Sequence, residues 1–587
     1  MNWIKTKNKM ITLYPEKVFT QLILFTGIVF LLSPLSGYAQ QMDLNNIKNT
    51  FSQKPFRLGG GISASSVLYT GNDGQGRQPF TYFLSGNINL NIYNQVNLPF
   101  TFNITNLGNN FTYPTLPNRL SIHPTYKWVT GHIGDVSMNF SPYTFNGHMF
   151  RGIGIDLTPE GKWKFSAMAG RLQKAVEYDS ANRLVPAAYQ RMGYSAKIRY
   201  DQAGYYAGMT FFSAKDDVSS LKWKPDSLNI LPKGNVAMSW EGGLKLIPNL
   251  SLTGEYALSL LTRDIRSPQE GSSFINNLFS RRTSTQSYTA LKGELTYQLL
   301  KNTMGIRYER IDPDYATLGA YYFNNDYENV TLNYARPFLK DKITVALSWG
   351  AQRDDLNKNQ EQTSKRFVSS ANVSYTPNEK LNSSFSYSSF QTYLNLKSQF
   401  DYINGQTPYD NLDTLNFTQL SQNMSLNSNY NFGKSDIRKH NLNVNMSFQQ
   451  AADKQGDIIK PGNLSQFYNL STAYNLIFVP QAISIQTAFN ATYNYINSTN
   501  SVILGPTLGI RAKVYQKKIT TGISSAYNVS INESDTQGKV LNLRWNAAYA
   551  FYKKHNLNAN TIWQNRKISG KNTTDSFTAT IAYSYSF

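Results

Sequence analysis

The sequence predicts an all-β chain, folded as a single large antiparallel transmembrane β-barrel of about 26 strands, within a range of roughly 22 to 26. Three observations predict it: short segments that alternate apolar and polar, a composition both aromatic-rich and hydrophilic, and connections that alternate short with long. Successive side chains of a strand point to opposite faces, so each alternating segment carries one apolar face and one polar face.

Alternation is clearest in Thr574–Phe587. Phe577, Ala579, Ile581, Tyr583, Tyr585 and Phe587 share one parity, and Thr578, Thr580, Ala582, Ser584 and Ser586 the other. The pattern recurs where Phe80, Tyr82, Leu84, Ile88 and Leu90 interleave with Ser85, Asn87 and Asn89, in Ile343–Trp349 and in Leu442–Gln449. Any one of these segments would suit a soluble sandwich. Composition argues otherwise: 14% aromatic residues, with 39 Tyr and 33 Phe, accompany a mean hydropathy of −0.42. Half of each barrel strand faces lipid and half faces water, so the average conceals both faces.

Connections decide for the barrel. Short links at Tyr93–Val96, Thr158–Lys162, Asp201–Gly204, Ile247–Leu250, Leu300–Asn302 and Lys553–His555 alternate with long ones at Thr105–Asn118, Leu172–Gln190, Leu260–Thr283, Asp312–Asp326 and Asn395–Asp413. Membrane barrels have short periplasmic turns and long extracellular loops, and an even strand number leaves both ends in the periplasm.

The N-terminal end reads as a secretory signal. Lys5, Lys7, Lys9 and Lys17 precede the apolar run Leu22–Leu32, and Gly37, Tyr38 and Ala39 form a small-residue cleavage site. The expected organisation is therefore 1–39 signal peptide, 40–55 short periplasmic segment and 56–587 barrel. The absence of cysteine excludes a lipid-anchored N-terminus, disulfides and thiolate metal sites. Part of the formal charge of +21 belongs to the signal. Much of the rest lies in short turns, at Lys340, Lys380, Arg438, Lys439, Lys517, Lys518, Lys553 and Lys554, beside an anionic inner leaflet. No nucleic-acid partner is expected of such a chain.

Tyr583, Tyr585 and Phe587 resemble the C-terminal targeting strand of Gram-negative outer-membrane β-barrels. That resemblance implies residence in the bacterial outer membrane, contact with its lipid, and insertion by the barrel-assembly machinery. It is a likeness to large porin, transporter or translocon barrels that have no N-terminal plug.

Parity assigns side chains to the lumen: Asp156, Lys164, Lys197, Arg199, Glu241, Lys245, Lys292, Glu294, Arg307, Glu309 and Arg544 oppose lipid-facing apolar rows. A charge facing lipid at mid-depth costs about 2–4 kcal/mol, whereas a lumenal one is hydrated. These charges either neutralise one another or form a mildly cationic path for an anionic or polymeric solute. Strands about 4.8 Å apart and tilted about 40° enclose on the order of 50 Å, leaving a bore of roughly 35 Å. Residues 40–55 are too few to fill it, so inward loops or a plug or other protein partner are expected to close it.

The hairpin Gly131–Asp156 resembles the porin arrangement in which one loop folds inward, with Phe145, His148 and Arg151 as constriction candidates. Arg310–Asp326 reads as an exposed loop packed by its own aromatics. The five histidines show no metal-ligand spacing, although His132 and His148 approach each other across the hairpin. No catalytic set, metal or cofactor is expected, and the chain is not read as an enzyme. The expected function is a transport or secretion channel; the alternative is a non-conducting scaffold for surface-protein attachment or adhesion.

Overall fold

The computed structural model describes residues 55–587 apart from 73–77, 107–117, 179–186, 223–229, 271–280, 322–323, 355, 358–364, 390–419, 434–435, 452–453, 456–457, 460–464, 497–498 and 533–534. Residues 1–39, read as a signal peptide, nearly all of the segment 40–55 expected to be periplasmic, and the loop Asn395–Asp413 lie outside the described residues.

Phe56–Phe587 forms one compact unit built on a single antiparallel sheet of 27 segments. Arg119–Ile122 and Thr125–Tyr126 both pair between Val96–Thr105 and Val129–Asn139, so they are two halves of one strand and the barrel has 26. Pro124 breaks that strand because it has no N–H to give the ladder. The ladder resumes around it, with the Gly131 amide donating to the Pro124 carbonyl at 2.7 Å. Opposite the break Gly134 takes φ +100°, and a Cβ there would stand 2.1 Å from the Leu120 carbonyl oxygen, so only glycine fits.

Every remaining strand pairs with its sequence neighbours, and Phe56–Gly71 pairs with Thr574–Ser586 from Gly61↔Ser586 to Gly71↔Ser576. That last pairing closes the sheet and abolishes its edges, as a lipid environment requires. Tight turns at one end use left-handed backbone, for example Tyr93 and Asn94, Tyr515 to Lys517, and Tyr552 and Lys553. The long connections gather at the other end. Three connections at that end, 497–498, 533–534 and 569–573, are nevertheless as short as turns. A small ribbon, Lys454–Gln455 with Ile458–Ile459, stands apart from the barrel sheet.

Outward rows carry exposed Trp163, Phe165, Trp349, Leu508, Ile523, Trp545 and Ile581. In water such a surface would be untenable. A closed antiparallel barrel with an apolar outer face and long loops at one end is a structure of the bacterial outer membrane, and the chain resides there.

Candidate functional site: two loops folded into the lumen

A loop at the rim of a barrel should be wet. Residues 140–145, between strands Val129–Asn139 and Asn146–Leu157, are not: Phe140, Tyr143, Thr144 and Phe145 are at most 3% exposed. The loop is a tight one, with the Phe140 amide donating to the Phe145 carbonyl at 3.0 Å and the Tyr143 amide to the Ser141 hydroxyl at 3.1 Å. Gly147, at φ +63°, turns the chain back into the next strand. This geometry lays the loop against the inner wall.

The wall holds it by polar groups, of which parity had placed Lys197, Glu241 and Glu309 in the lumen. Lys197 Nζ donates to the Phe140 carbonyl at 2.7 Å and also pairs with Glu241. Ser141 Oγ donates to Glu255, and Tyr143 Oη donates to Glu309 Oε1 at 2.5 Å. Burial, reinforced by the Glu309 carboxylate, holds the Tyr143 phenol far above its ordinary pKa, so it stays a donor.

A second segment covers the first. Residues 315–321 lie over the lumenal face of 140–145, so this part of Arg310–Asp326 is not the exposed loop that its sequence suggested. Tyr315 is fully buried and donates to the Tyr143 carbonyl at 2.7 Å; Thr317 Oγ1 donates to the Thr144 carbonyl at 2.6 Å. The Asn146 amide donates to the Gly319 carbonyl at 3.1 Å, and Phe145 and Gly319 form a parallel bridge. A Cβ on Gly319 would stand 2.4 Å from the Thr144 carbonyl oxygen, so the two segments approach this closely only because that residue is glycine. Asn235 accepts from Thr317 Oγ1 and from the Leu318 amide, and Ser259 Oγ donates to the Ala316 carbonyl at 2.7 Å. Tyr321 stacks on His148 at 4.1 Å and accepts from the Met149 amide at 2.9 Å; burial pushes its phenol up to about 12.

Apolar contact completes the assembly. Phe140 and Phe145 pack with Phe150, Met168, Leu172 and Phe212, while Tyr143 and Tyr315 pack with Leu261, Tyr288 and Ile311. Fully burying one such side chain stabilises by roughly 1.5–3 kcal/mol, so several together outweigh the ordering of a short loop. Every wall residue involved lies between Val129 and Phe338. The facing wall differs: apart from charges such as Arg544, its inward positions are mostly amides and hydroxyls, among them Asn427, Asn429, Asn443, Asn445, Ser471 and Asn490.

The lumenal charges are largely paired. Lys164 and Arg199 share Asp201 at 2.7 Å each, Arg199 reaches Glu241 at 3.3 Å, and Arg307 holds Glu294 at 2.8 Å. Asp156 accepts from Ser166 at 2.5 Å and from His132 at 2.8 Å. Lys292 sits in register between Glu255 and Glu309, and it, Lys245 and Arg544 make no ion pair among the described residues. His132 meets His123, Nδ1 to Nδ1 at 2.9 Å, rather than His148. Among the described residues no group of three or more His, Asp or Glu is placed to hold a metal ion.

Of the three constriction candidates, Phe145 and His148 join the inward loop and Arg151 does not. Arg151 shares parity with the 62% exposed Ile153 and pairs with Asp135 on the outer face. Sequence reasoning missed Ser141, Tyr143, Glu255, Asn235, Tyr315, Thr317 and Gly319. Glu255 had a legible signal, a carboxylate on the parity opposite Leu252, Tyr256 and Leu258; the loop contacts had none. In the last strand, Tyr583 Oη contacts His555 at 2.7 Å, Tyr585 and Phe587 lie 5.6 Å apart, and the Phe587 amide donates to the Gly60 carbonyl.

No protein-family model matches the chain, and no curated protein matches it in sequence. Among solved structures, the translocation pore of the P pilus usher PapC is 9% identical with a TM-score of 0.35, over 90% of this chain and 99% of that one. The FrpB iron transporter of Neisseria meningitidis (F5-1 variant) is 9% identical with a TM-score of 0.37, over 92% and 84%. A mutant of the ferric enterobactin receptor PfeA of Pseudomonas aeruginosa is 10% identical with a TM-score of 0.37, over 90% and 80%. These are likenesses of barrel architecture and no more.

Proposed function

We propose that the chain is a transport channel of the outer membrane, narrowed from within by residues 140–145 and 315–321. The burial of Phe145 and Tyr315 on the inner wall is the observation that carries this reading. Loops that merely displayed themselves to the exterior would not be stacked in two layers against the lumen. A solute passes along the Asn- and Ser-lined wall, whose neutral polar groups offer hydrogen bonds without trapping charge. The charged band is mostly self-neutralised, so selectivity for anions is weak and rests on Lys245, Lys292 and Arg544. Further closure by a plug or other partner protein belongs to the same proposal. So do export by a signal peptide over 1–39, a short periplasmic segment over 40–55, and insertion by the barrel-assembly machinery through Tyr583, Tyr585 and Phe587.

Conductance in planar bilayers tests it. The purified barrel should give small, steady steps. Replacing residues 140–145 by a two-residue Asn-Gly turn should raise the step several-fold. A barrel silent in both forms is the non-conducting scaffold of the alternative reading.

A further inference from the structure

One row on the outer wall breaks the apolar rule. Asp135, Arg151, Arg171, Met192 and Lys215 stand directly opposite one another on five successive strands. Those strands are Val129–Asn139, Asn146–Leu157, Trp163–Gln173, Gln190–Gln202 and Tyr205–Asp217. Their parity is that of exposed Ile133, Ile153, Trp163, Tyr194 and Tyr205, so the row faces outward.

Asp135 is spent on its neighbour. Arg151 Nε and Nη2 each donate to it at 2.8 Å, and the Leu120 amide donates at 3.1 Å. Among the described residues Arg171 and Lys215 have no ion pair and no side-chain hydrogen bond, and Arg171 Nε is shielded from solvent with no partner there. Asp217, two residues beyond Lys215 on the same face, accepts from the Ser219 amide and hydroxyl at 2.9 and 2.7 Å.

Height on the wall says what these cations face. A strand tilted about 40° climbs roughly 2.5 Å per residue. Arg171 follows Trp163, at the periplasmic end of its strand, by about 8 residues, and Lys215 follows Tyr205 by about 10, placing them roughly 20 and 25 Å up. The apolar band of such a barrel is about 25 Å tall. The row therefore lies at the outer edge of the hydrocarbon, at the level of the outer-leaflet headgroups. A guanidinium and an ammonium about 10 Å apart across Met192 match two phosphate groups on one headgroup, the guanidinium by paired N–H donors.

We propose that this row binds the phosphates of an outer-leaflet glycolipid. The assignment is independent of whether the pore conducts. It is tested on the full-length barrel in detergent, mixed with micelles containing bisphosphorylated lipid A, its dephosphorylated form, or phosphatidylglycerol, with retained lipid read by native mass spectrometry. Bisphosphorylated lipid A should be retained at least tenfold over the other two. R171Q/K215Q should lower that retention at least tenfold, and K517Q/K518Q, which removes the same charge from a periplasmic turn, should not. Should the double variant fold poorly, K215Q alone, at an exposed position, should lower retention several-fold. Equal retention of the two lipid A forms, equal retention of phosphatidylglycerol, indifference to the Arg171 and Lys215 substitutions, or loss in K517Q/K518Q would each overturn the site.

Discussion

Tyr143→Phe isolates one bond that holds the inward loop. The substitution keeps the ring in its apolar cluster and deletes only the O–H that Glu309 accepts at 2.5 Å. A hydrogen bond to a charged acceptor is worth about 1.5–3 kcal/mol, and its loss leaves a partly buried carboxylate one donor short. At about 1.4 kcal/mol per factor of ten, the undocked population should rise roughly 10- to 150-fold. Single-channel recording of Y143F should then show brief excursions to a larger conductance that the wild type visits rarely. Glu309→Gln should give the same substate, and the double variant should add little to either, because both remove one interaction. If Y143F and E309Q each leave the occupancy of the larger substate unchanged, or if their effects simply add, the bond does not hold the loop.

Three further outcomes follow from the same geometry. Gly319→Ala drives a methyl into the Thr144 carbonyl and should undock the two segments, whereas Gly293→Ala, with no atom within 4 Å of its new Cβ, should behave as wild type; step conductance compares them. Because the chain has no cysteine, Thr144→Cys is a clean reporter: a membrane-impermeant maleimide should label it slowly in the wild-type background and at least tenfold faster with Y143F. Tyr321 has its folded pKa raised above the ordinary 10.0 to about 12, so its contribution to docking is complete below pH 10 and lost as pH rises through 12; tyrosinate absorbance and conductance should change together over that window, and not below it.

Alternation made the barrel legible because a strand in a membrane wall has a different solvent on each side. The parity of Phe577, Ile581 and Tyr583 showed the last strand's lipid face, and its pairing with the first strand is what closure of a barrel without edges requires. The alternating segments carried the count of about 26, and the rhythm of short and long connections carried the barrel and its orientation. The lumen was legible as a set of charged residues but not as pairs: which acid meets Lys197 depends on register across three strands, and register is set by turns rather than by composition. Loops were read least well. Residues 315–321 dock inward through a backbone bridge at Gly319 and a carboxamide at Asn235, both of which look unremarkable in a chain rich in Gly and Asn. Arg151 was misplaced for a simpler reason, that proximity to an aromatic loop was weighed above its parity with Ile153.

The two docked segments also have a mechanical meaning. They tie wall at Asn139 and Asn146 to wall at Glu255 and Glu309, positions separated by many strands of circumference. A hoop of 26 strands is held in the plane of the membrane only by the bending stiffness of its sheet. A brace fixed at several points along an arc removes the bending modes of that arc and leaves those of the remainder. The arc from Val129 to Phe338 is thereby stiffened, and the remaining arc, on which no such brace is seen among the described residues, is the part expected to bend first under lateral load.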